Sequence, residues 1–329
     1  MSAPRVSLDR ARLDRLRQGA VVVRTEPAAF NVTGMGALQC LQGLLTNDLV
    51  QPGDHSLVYG ALLTPKGMIV VDFWVLRRPQ GFLLLAERDG REAALDLFQR
   101  QLPPRLARME DLTGQVSALW LFGENVLGTL RFSRIGPVPE AEGRLAEGAP
   151  DSELLIARPH AKAPFQALVA GANDEIEKAI ATLTRAGATL GDERETAAAR
   201  ILAGWPTLGS EIGEKTLPQE VRYDELDGVS YTKGCYTGQE TVARLHFRGH
   251  TNRGLRGLIW QEGDLPPGTS VTTDDGKEVG TVRSTLFLPD RSVALAILRR
   301  EVEPGSFVTA SGRPAIVVAL PFDVDLLLA

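Results

Sequence analysis

The sequence predicts an α+β protein that ends in a small antiparallel β-barrel. Three observations carry this. Up to about residue 250, β-type apolar runs alternate with stretches whose apolar residues recur at helical spacing. Beyond that point helical periodicity stops, and short β runs are punctuated by Pro266-Pro267-Gly268, Asp275-Gly276, Pro304-Gly305 and Ser311-Gly312. The length, 329 residues, suits about two domains, and 43% hydrophobic with 23% charged residues excludes a disordered chain.

The elements follow in order. Residues 20–24 form a short β run. Leu38, Leu41 and Leu45 then recur at helical spacing after the Gly34–Gly36 turn, with Cys40 expected as a small buried hydrophobe. Residues 57–63 and 68–76 are β-rich and are joined by Thr64-Pro65-Lys66-Gly67, which has turn chemistry. Residues 82–86 form a third strand. Residues 89–100 read as a helix with Ala93, Leu95, Leu97 and Phe98 as apolar positions. Residues 116–122 are β-type, 135–150 a surface loop, and 154–156 and 165–169 two further strands. A helix begins at Asp174 with Ile176, Ile180 and Leu183 on one face. Asp192 and Glu195 have capping-box spacing and open another, through Ile201 and Leu202, which Gly204 and Pro206 end. The barrel strands are expected at 255–259, 278–286, 293–298 and 315–319.

Composition removes several function classes. The charge sum, 36 minus 41, is −5, so nothing global supports wrapping nucleic acid. Cys40 and Cys235 are the two cysteines, which excludes a disulfide scaffold and a closed cysteine-based zinc or iron–sulfur site within one chain. No apolar run approaches the roughly eighteen residues of a membrane span. The first twenty residues mix Arg5, Arg10, Arg12, Arg15 and Arg17 with Asp9 and Asp14 and lack an apolar core. Neither a secretory signal nor a transit peptide is expected, and the expected compartment is the cytoplasm. The excess of arginine over lysine, thirty to six, reads as compositional bias rather than recognition.

One segment carries chemistry: Lys233-Gly234-Cys235-Tyr236-Thr237-Gly238-Gln239-Glu240. Val229-Ser230-Tyr231 before it reads as a strand. Thr237 and Glu240 have the spacing of a capping box, so a helix is expected to start there and run through Val242, Ala243 and Leu245. That places Cys235 just outside a helix N-terminus, where the dipole and Lys233 favour thiolate. The thiol is then a nucleophile, metal donor or redox group; the alternative is a small packed residue beside a plain cap. Lys233, Arg244, Arg248, Arg253 and Arg256 against Glu240 give +4 over 24 residues, fitting an anionic ligand or a solvated, internally paired face. His246 and His250 are four apart, but Gly249 interrupts the helix, so no metal site is expected. Thr46-Asn47-Asp48 either caps a turn or contacts a ligand. Asp72, inside an apolar β run, must point outward, find partners or line a cavity. No phosphate loop, dinucleotide fingerprint or nucleophile elbow occurs.

The octapeptide with Val242-Ala243-Arg244 resembles the signature of the YgfZ family, which has mitochondrial relatives. Leu45-Thr46-Asn47-Asp48, Leu62-Leu63-Thr64-Pro65-Lys66-Gly67, residues 200–206 and Leu217-Pro218-Gln219-Glu220 occur in that family's order and spacing, so the resemblance runs from about residue 20 to 260. The family is similar to the glycine-cleavage T-protein, a tetrahydrofolate-dependent aminomethyltransferase. The resemblance implies a multidomain cloverleaf around a central folate channel. In it a body, 1–250, consists of two interleaved subdomains, roughly 1–50 with 115–250, and 50–115, and 251–329 is the barrel. It implies tetrahydrofolate or a substituted folate as cofactor, and a role in iron–sulfur cluster assembly or repair that supports enzymes such as those methylthiolating tRNA. Iron–sulfur clients or assembly proteins would be the partners, with no direct nucleic acid and no membrane. Cys235 would be the reactive thiol with Lys233 beside it. Asp72, Asn47, Asp48, Tyr59, Arg200, Gln239 and Arg244 would contact the folate, and the basic stretch 233–256 would meet its anionic tail. One departure stands out: where T-proteins carry a glutamate that holds the pterin, this chain has Leu202 in Arg200-Ile201-Leu202-Ala203-Gly204. Leucine cannot make those hydrogen bonds. Two rivals are a true one-carbon transferase that uses Asp72 and a folate-free adaptor that docks partners.

Overall fold

A computed structural model describes residues 5–149, 152–261 and 263–328. Pro150, the last residue of the expected loop, lies outside the described residues. The chain opens with β1 (Arg5–Ser7), α1 (Arg10–Gln18), β2 (Val21–Thr25), β3 (Ala28–Thr33) and the short α2 (Ala37–Gln42). Next come β4 (Ser56–Leu63), β5 (Ile69–Arg78), β6 (Gly81–Ala86), α3 (Arg91–Gln101), β7 (Arg108–Asp111), β8 (Val116–Phe122) and α4 (Val126–Ser133). Then follow β9 (Arg144–Glu147), β10 (Leu155–Arg158), β11 (Ala167–Ala172), α5 (Asn173–Arg185), β12 (Thr189–Leu190) and α6 (Glu193–Ala203). A long irregular stretch leads to α7 (Gln239–Arg248). The C-terminal part holds β13 (Arg253–Trp260), β14 (Ser270–Thr272), β15 (Glu278–Phe287), β16 (Ser292–Arg299), β17 (Phe307–Ala310), β18 (Arg313–Val318) and α8 (Val324–Leu328).

Eleven strands form one sheet in the order β12-β2-β8-β11-β10-β9-β4-β5-β6-β3-β7. Side chains alternate across a strand, so this sheet has two apolar faces. On β5, Val71, Phe73 and Val75 pack outward with Ala94, Leu97 and Phe98 of α3. On β8, Leu119 and Leu121 pack outward with Ile176, Ala179 and Leu183 of α5. The inner face takes the intervening residues, among them Trp74, Leu76, Ala118 and Phe122. Against it lie Ala198, Ile201 and Leu202 of α6 and the outer barrel residues Leu255, Leu286 and Leu295.

The remaining strands run β15-β14-β17-β18-β13-β16 and close through β15–β16, giving a six-stranded antiparallel barrel. Its interior is a separate core around Leu258, Val271, Val282 and Ala296. β1 adds to the outside of β15 in parallel, Arg5 opposite Thr285. The α+β body and the antiparallel barrel agree with expectation. Among the described residues no helix is long and apolar enough to cross a membrane.

Several local expectations are corrected. The stretch 135–150 contains β9, whose register with β10 sets Leu145 opposite Ala157 and buries it. Val229-Ser230-Tyr231 forms no strand; its backbone is irregular, and Ser230 N–H donates to Thr46 O at 3.0 Å. The helix expected at 89–100 starts at Arg91 after a 3₁₀ turn, which rotates Ala94 rather than Ala93 into the core. Cys40 is half-buried and packs against the outer core. The Asp192 capping box is present as read: Asp192 N–H donates to Glu195 Oε2 at 2.9 Å.

Candidate functional site

The inner face of the sheet and α6 enclose a cavity of about 580 Å³. Aromatic rings wall it, among them Trp74 from β5, Trp120 from β8, Phe165 just before β11, and Trp205. Trp74 stacks on Trp205 with centroids 5.5 Å apart and planes at 16°. Phe165 meets Trp74 and Trp120 edge-on at 4.9 and 4.5 Å. Such edge-to-face pairs are favoured by the ring quadrupole. Trp205 reaches this position because Gly204 ends α6 in the left-handed region, φ 64°, and turns the chain.

Alternation along β5 places Asp72 on the same face as Trp74, and the β4–β5 register sets Tyr59 opposite Trp74. Asp72 is therefore buried, not exposed on a strand face. The Tyr59 hydroxyl donates to Asp72 Oδ2 at 2.7 Å and lies 3.0 Å from the Tyr223 hydroxyl. Burial raises the Asp72 carboxyl to about 6; the Tyr59 hydrogen bond works against this and the charge of nearby Glu87 adds to it. Burial also pushes both tyrosines well above their ordinary range. Asp72 Oδ1 is buried at the cavity and has no hydrogen-bond partner among the described residues, and Thr196 Oγ1 is in the same condition. An unpaired buried oxygen costs about 1–3 kcal/mol, so two at one cavity leave room for a donor-bearing ligand.

The octapeptide sits elsewhere. Its helix does not begin at a Thr237–Glu240 box. Gly238 is the cap residue of α7 at φ 82°, and no side chain caps it. A Cβ on Gly238 would stand 2.5 Å from Thr64 O, and one on Gly67 would stand 2.9 Å from Thr241 Cβ. The β4–β5 turn is thus pressed against the start of α7, and both residues at the contact need to be glycine. Lys233 is buried, and its ammonium donates to Leu45 O and Asn47 O at 2.8 Å each. Burial pulls it down to about 8, opposed by the charge of Asp48. It anchors the loop rather than offering a free charge. Cys235 is free and exposed, four residues ahead of α7 rather than at its N-terminus.

Nine residues were expected to form the site. Tyr59, Asp72 and Arg200 line the cavity, while Asn47, Asp48, Lys233, Cys235, Gln239 and Arg244 do not. Asn47 braces the back of the site, donating to Tyr59 O at 2.8 Å and Asp227 O at 2.6 Å. Burial works upward on Asp48, but hydrogen bonds from Val50 and Gln51 N–H and from Gln42 hold its carboxyl below the ordinary value. Gln239 is half-buried at the start of α7 and Arg244 is exposed on it. Arg200 is buried and satisfied by Glu211 Oε2 at 2.8 Å, Trp205 O at 2.9 Å and Ser284 Oγ at 2.8 Å, tying α6 to the barrel. Leu202 packs in the core and does not line the cavity. The basic stretch is partly paired internally, Arg253 with Glu220 at 2.8 Å and His246 with Asp224 at 3.2 Å. Sequence reasoning missed Trp74, Trp120, Phe165, Trp205 and Tyr223. Each aromatic lies in an ordinary apolar or turn setting, and only their convergence marks them. Among the described residues no group of three or more His, Cys, Asp or Glu side chains is placed to hold a metal.

Comparison with known proteins agrees with this architecture. Residues 16–131 match the GCVT N-terminal domain, and residues 252–321 match the C-terminal beta-barrel domain of CAF17. The chain is 30% identical over 311 residues to the tRNA-modifying protein YgfZ of Edwardsiella ictaluri, covering 90% of each chain. It is 27% identical over 306 residues to the protein of the same name from an Enterobacter species, covering 91% of each. Among solved structures, the glycine cleavage system aminomethyltransferase T from Bartonella henselae superposes with a TM-score of 0.76 at 20% identity, over 94% of this chain and 87% of that one. The fold is therefore that of aminomethyltransferase T, as the resemblance implied.

Proposed function

This chain belongs to the YgfZ family, and from that premise we propose that its cavity binds tetrahydrofolate or a substituted folate in support of iron–sulfur-dependent tRNA modification. The observation that carries the reading is the aromatic-walled cavity with the unpartnered Asp72 Oδ1 at its inner end. A pterin is a flat bicycle with N–H donors along one edge. It needs apolar faces and a buried acceptor, and the site offers both. The volume, about 580 Å³, lies within the range of small-ligand sites.

The residues divide the work. Trp74, Trp120, Phe165 and Trp205 flank the ring and exclude water. Asp72 accepts from the pterin edge, with Tyr59 fixing its other oxygen. Thr196 supplies a second polar contact. Asp72 is the buried acid of the lining and so the one suited to hold the pterin. Tetrahydrofolate brings a nucleophilic nitrogen that carries one-carbon units.

Cys235 acts on the outside. Lys233 pins the octapeptide loop to Leu45 and Asn47, and the exposed thiol is presented to an iron–sulfur client or assembly protein. One thiol cannot hold a cluster, so the partner supplies the remaining ligands. Two free cysteines suit a reducing cytoplasm.

Three of the four tryptophans line the cavity, so intrinsic fluorescence reports its occupancy. Titration with tetrahydrofolate is expected to give saturable quenching that is lost in Asp72→Ala. Absence of saturation at sub-millimolar concentration overturns the folate reading and leaves the adaptor.

A further inference from the structure

We infer that the mouth of this cavity selects folates with a short glutamate tail. The inference rests on the folate reading and specifies the substrate class of the same site. The aromatic walls and Asp72 occupy the buried end, so the pterin goes inward and the glutamate end is left at the mouth.

The solvent end of the lining carries four exposed carboxylates: Glu26, Glu87, Asp89 and Glu193. Three arginines also line the cavity, and each already has an acid. Arg24 is held by Glu177 and donates to Ser117 Oγ at 3.2 Å. Arg88 pairs with Glu26 at 2.8 Å. Arg200 is buried on Glu211 at 2.8 Å. Glu87 accepts from Thr207 Oγ1 at 3.2 Å and lies close enough to Asp72 to raise its carboxyl. Asp89 and Glu193 make no ion pair among the described residues.

The expected counterweight is missing from this place. Among the described residues none beyond Ser210 lines the cavity, so the basic stretch 233–256 is not part of its wall. Each additional γ-linked glutamate brings one more carboxylate past a collar whose cations are already engaged. A folate bearing one glutamate meets the least repulsion.

The test compares tetrahydrofolate monoglutamate with its pentaglutamate by tryptophan quenching at low and high salt. Screened Coulomb repulsion over about 10 Å predicts binding of the pentaglutamate weaker by about threefold to tenfold at low salt, with the gap closing at high salt. The double variant Asp89→Asn/Glu193→Gln is expected to narrow that ratio. Equal or tighter binding of the pentaglutamate, or a ratio indifferent to the double variant, overturns the inference while leaving folate binding intact. Failure of the monoglutamate itself to bind overturns the folate reading, and the selectivity falls with it.

Discussion

Asp72→Asn is the perturbation whose sign and size the structure fixes best. The carboxyl stands at about 6 in the folded protein against an ordinary value of 3.8. A group raised on folding binds more protons in the native state between those two values, so stability falls as pH rises through that window. Above it the native state carries the full cost of a charged, buried carboxylate, about 3 kcal/mol for a shift of roughly two units. At pH 5 the same relation gives about half of that. The asparagine side chain keeps an acceptor for the Tyr59 hydroxyl but leaves its amide N–H groups unpaired, a pH-independent cost of about 1–2 kcal/mol. The variant is therefore expected to be stabilised relative to wild type by about 1–2 kcal/mol more at pH 7.5 than at pH 5. Parallel urea unfolding of both proteins at the two pH values measures this. Titrating groups that do not interact with Asp72 cancel in the difference. A variant effect that is equal at both pH values, or more destabilising at pH 7.5, refutes the placement of a largely desolvated, half-satisfied carboxyl.

Two further expectations follow from named contacts. Arg200→Met leaves Glu211 fully buried without its counter-charge and is expected to cost about 3–5 kcal/mol in urea unfolding, most of it recovered in Arg200→Met/Glu211→Leu; a single-variant loss below about 1 kcal/mol shows that the pair does not lock α6 to the barrel. Cys235→Ala removes an exposed sulfur, so stability should stay within about 0.5 kcal/mol. Iron–sulfur-dependent tRNA methylthiolation in a deletion strain should not be restored by this variant, and full rescue would take the thiol out of the mechanism.

Local sequence rules succeeded where one element decides its own fate. Thr64-Pro65-Lys66-Gly67 gave a hairpin because its turn chemistry is self-contained, with Gly67 N–H donating to Thr64 O at 2.8 Å. The Asp192–Glu195 box likewise closes within four residues. The Thr237–Glu240 box has the same spacing and failed. There a tertiary contact with the β4–β5 turn demands glycine at 238, and that overrides the local cap. β9 went unread because its four residues alternate too briefly to signal a strand without β10 beside them. The cavity was legible only through Asp72, a carboxylate inside an apolar β run, and through Tyr59 and Arg200, which the family resemblance implied. Trp74 and Phe165 fall in β runs by sequence, and in the structure they pack into the inner core. What makes them a site is an empty volume among them, and no periodicity encodes that.

β1 pairs with residues 285–287, about 280 positions downstream. On a ribosome adding about 5–20 residues per second, that first strand waits roughly 15–55 seconds for its partner. Through that interval Val6 and Leu8, both buried in the finished molecule, have α6 on one side and lack the cover of the barrel on the other. A nascent chain halted short of the barrel carries β1 with its pairing edge open, and the ring seals only once β18 has been made.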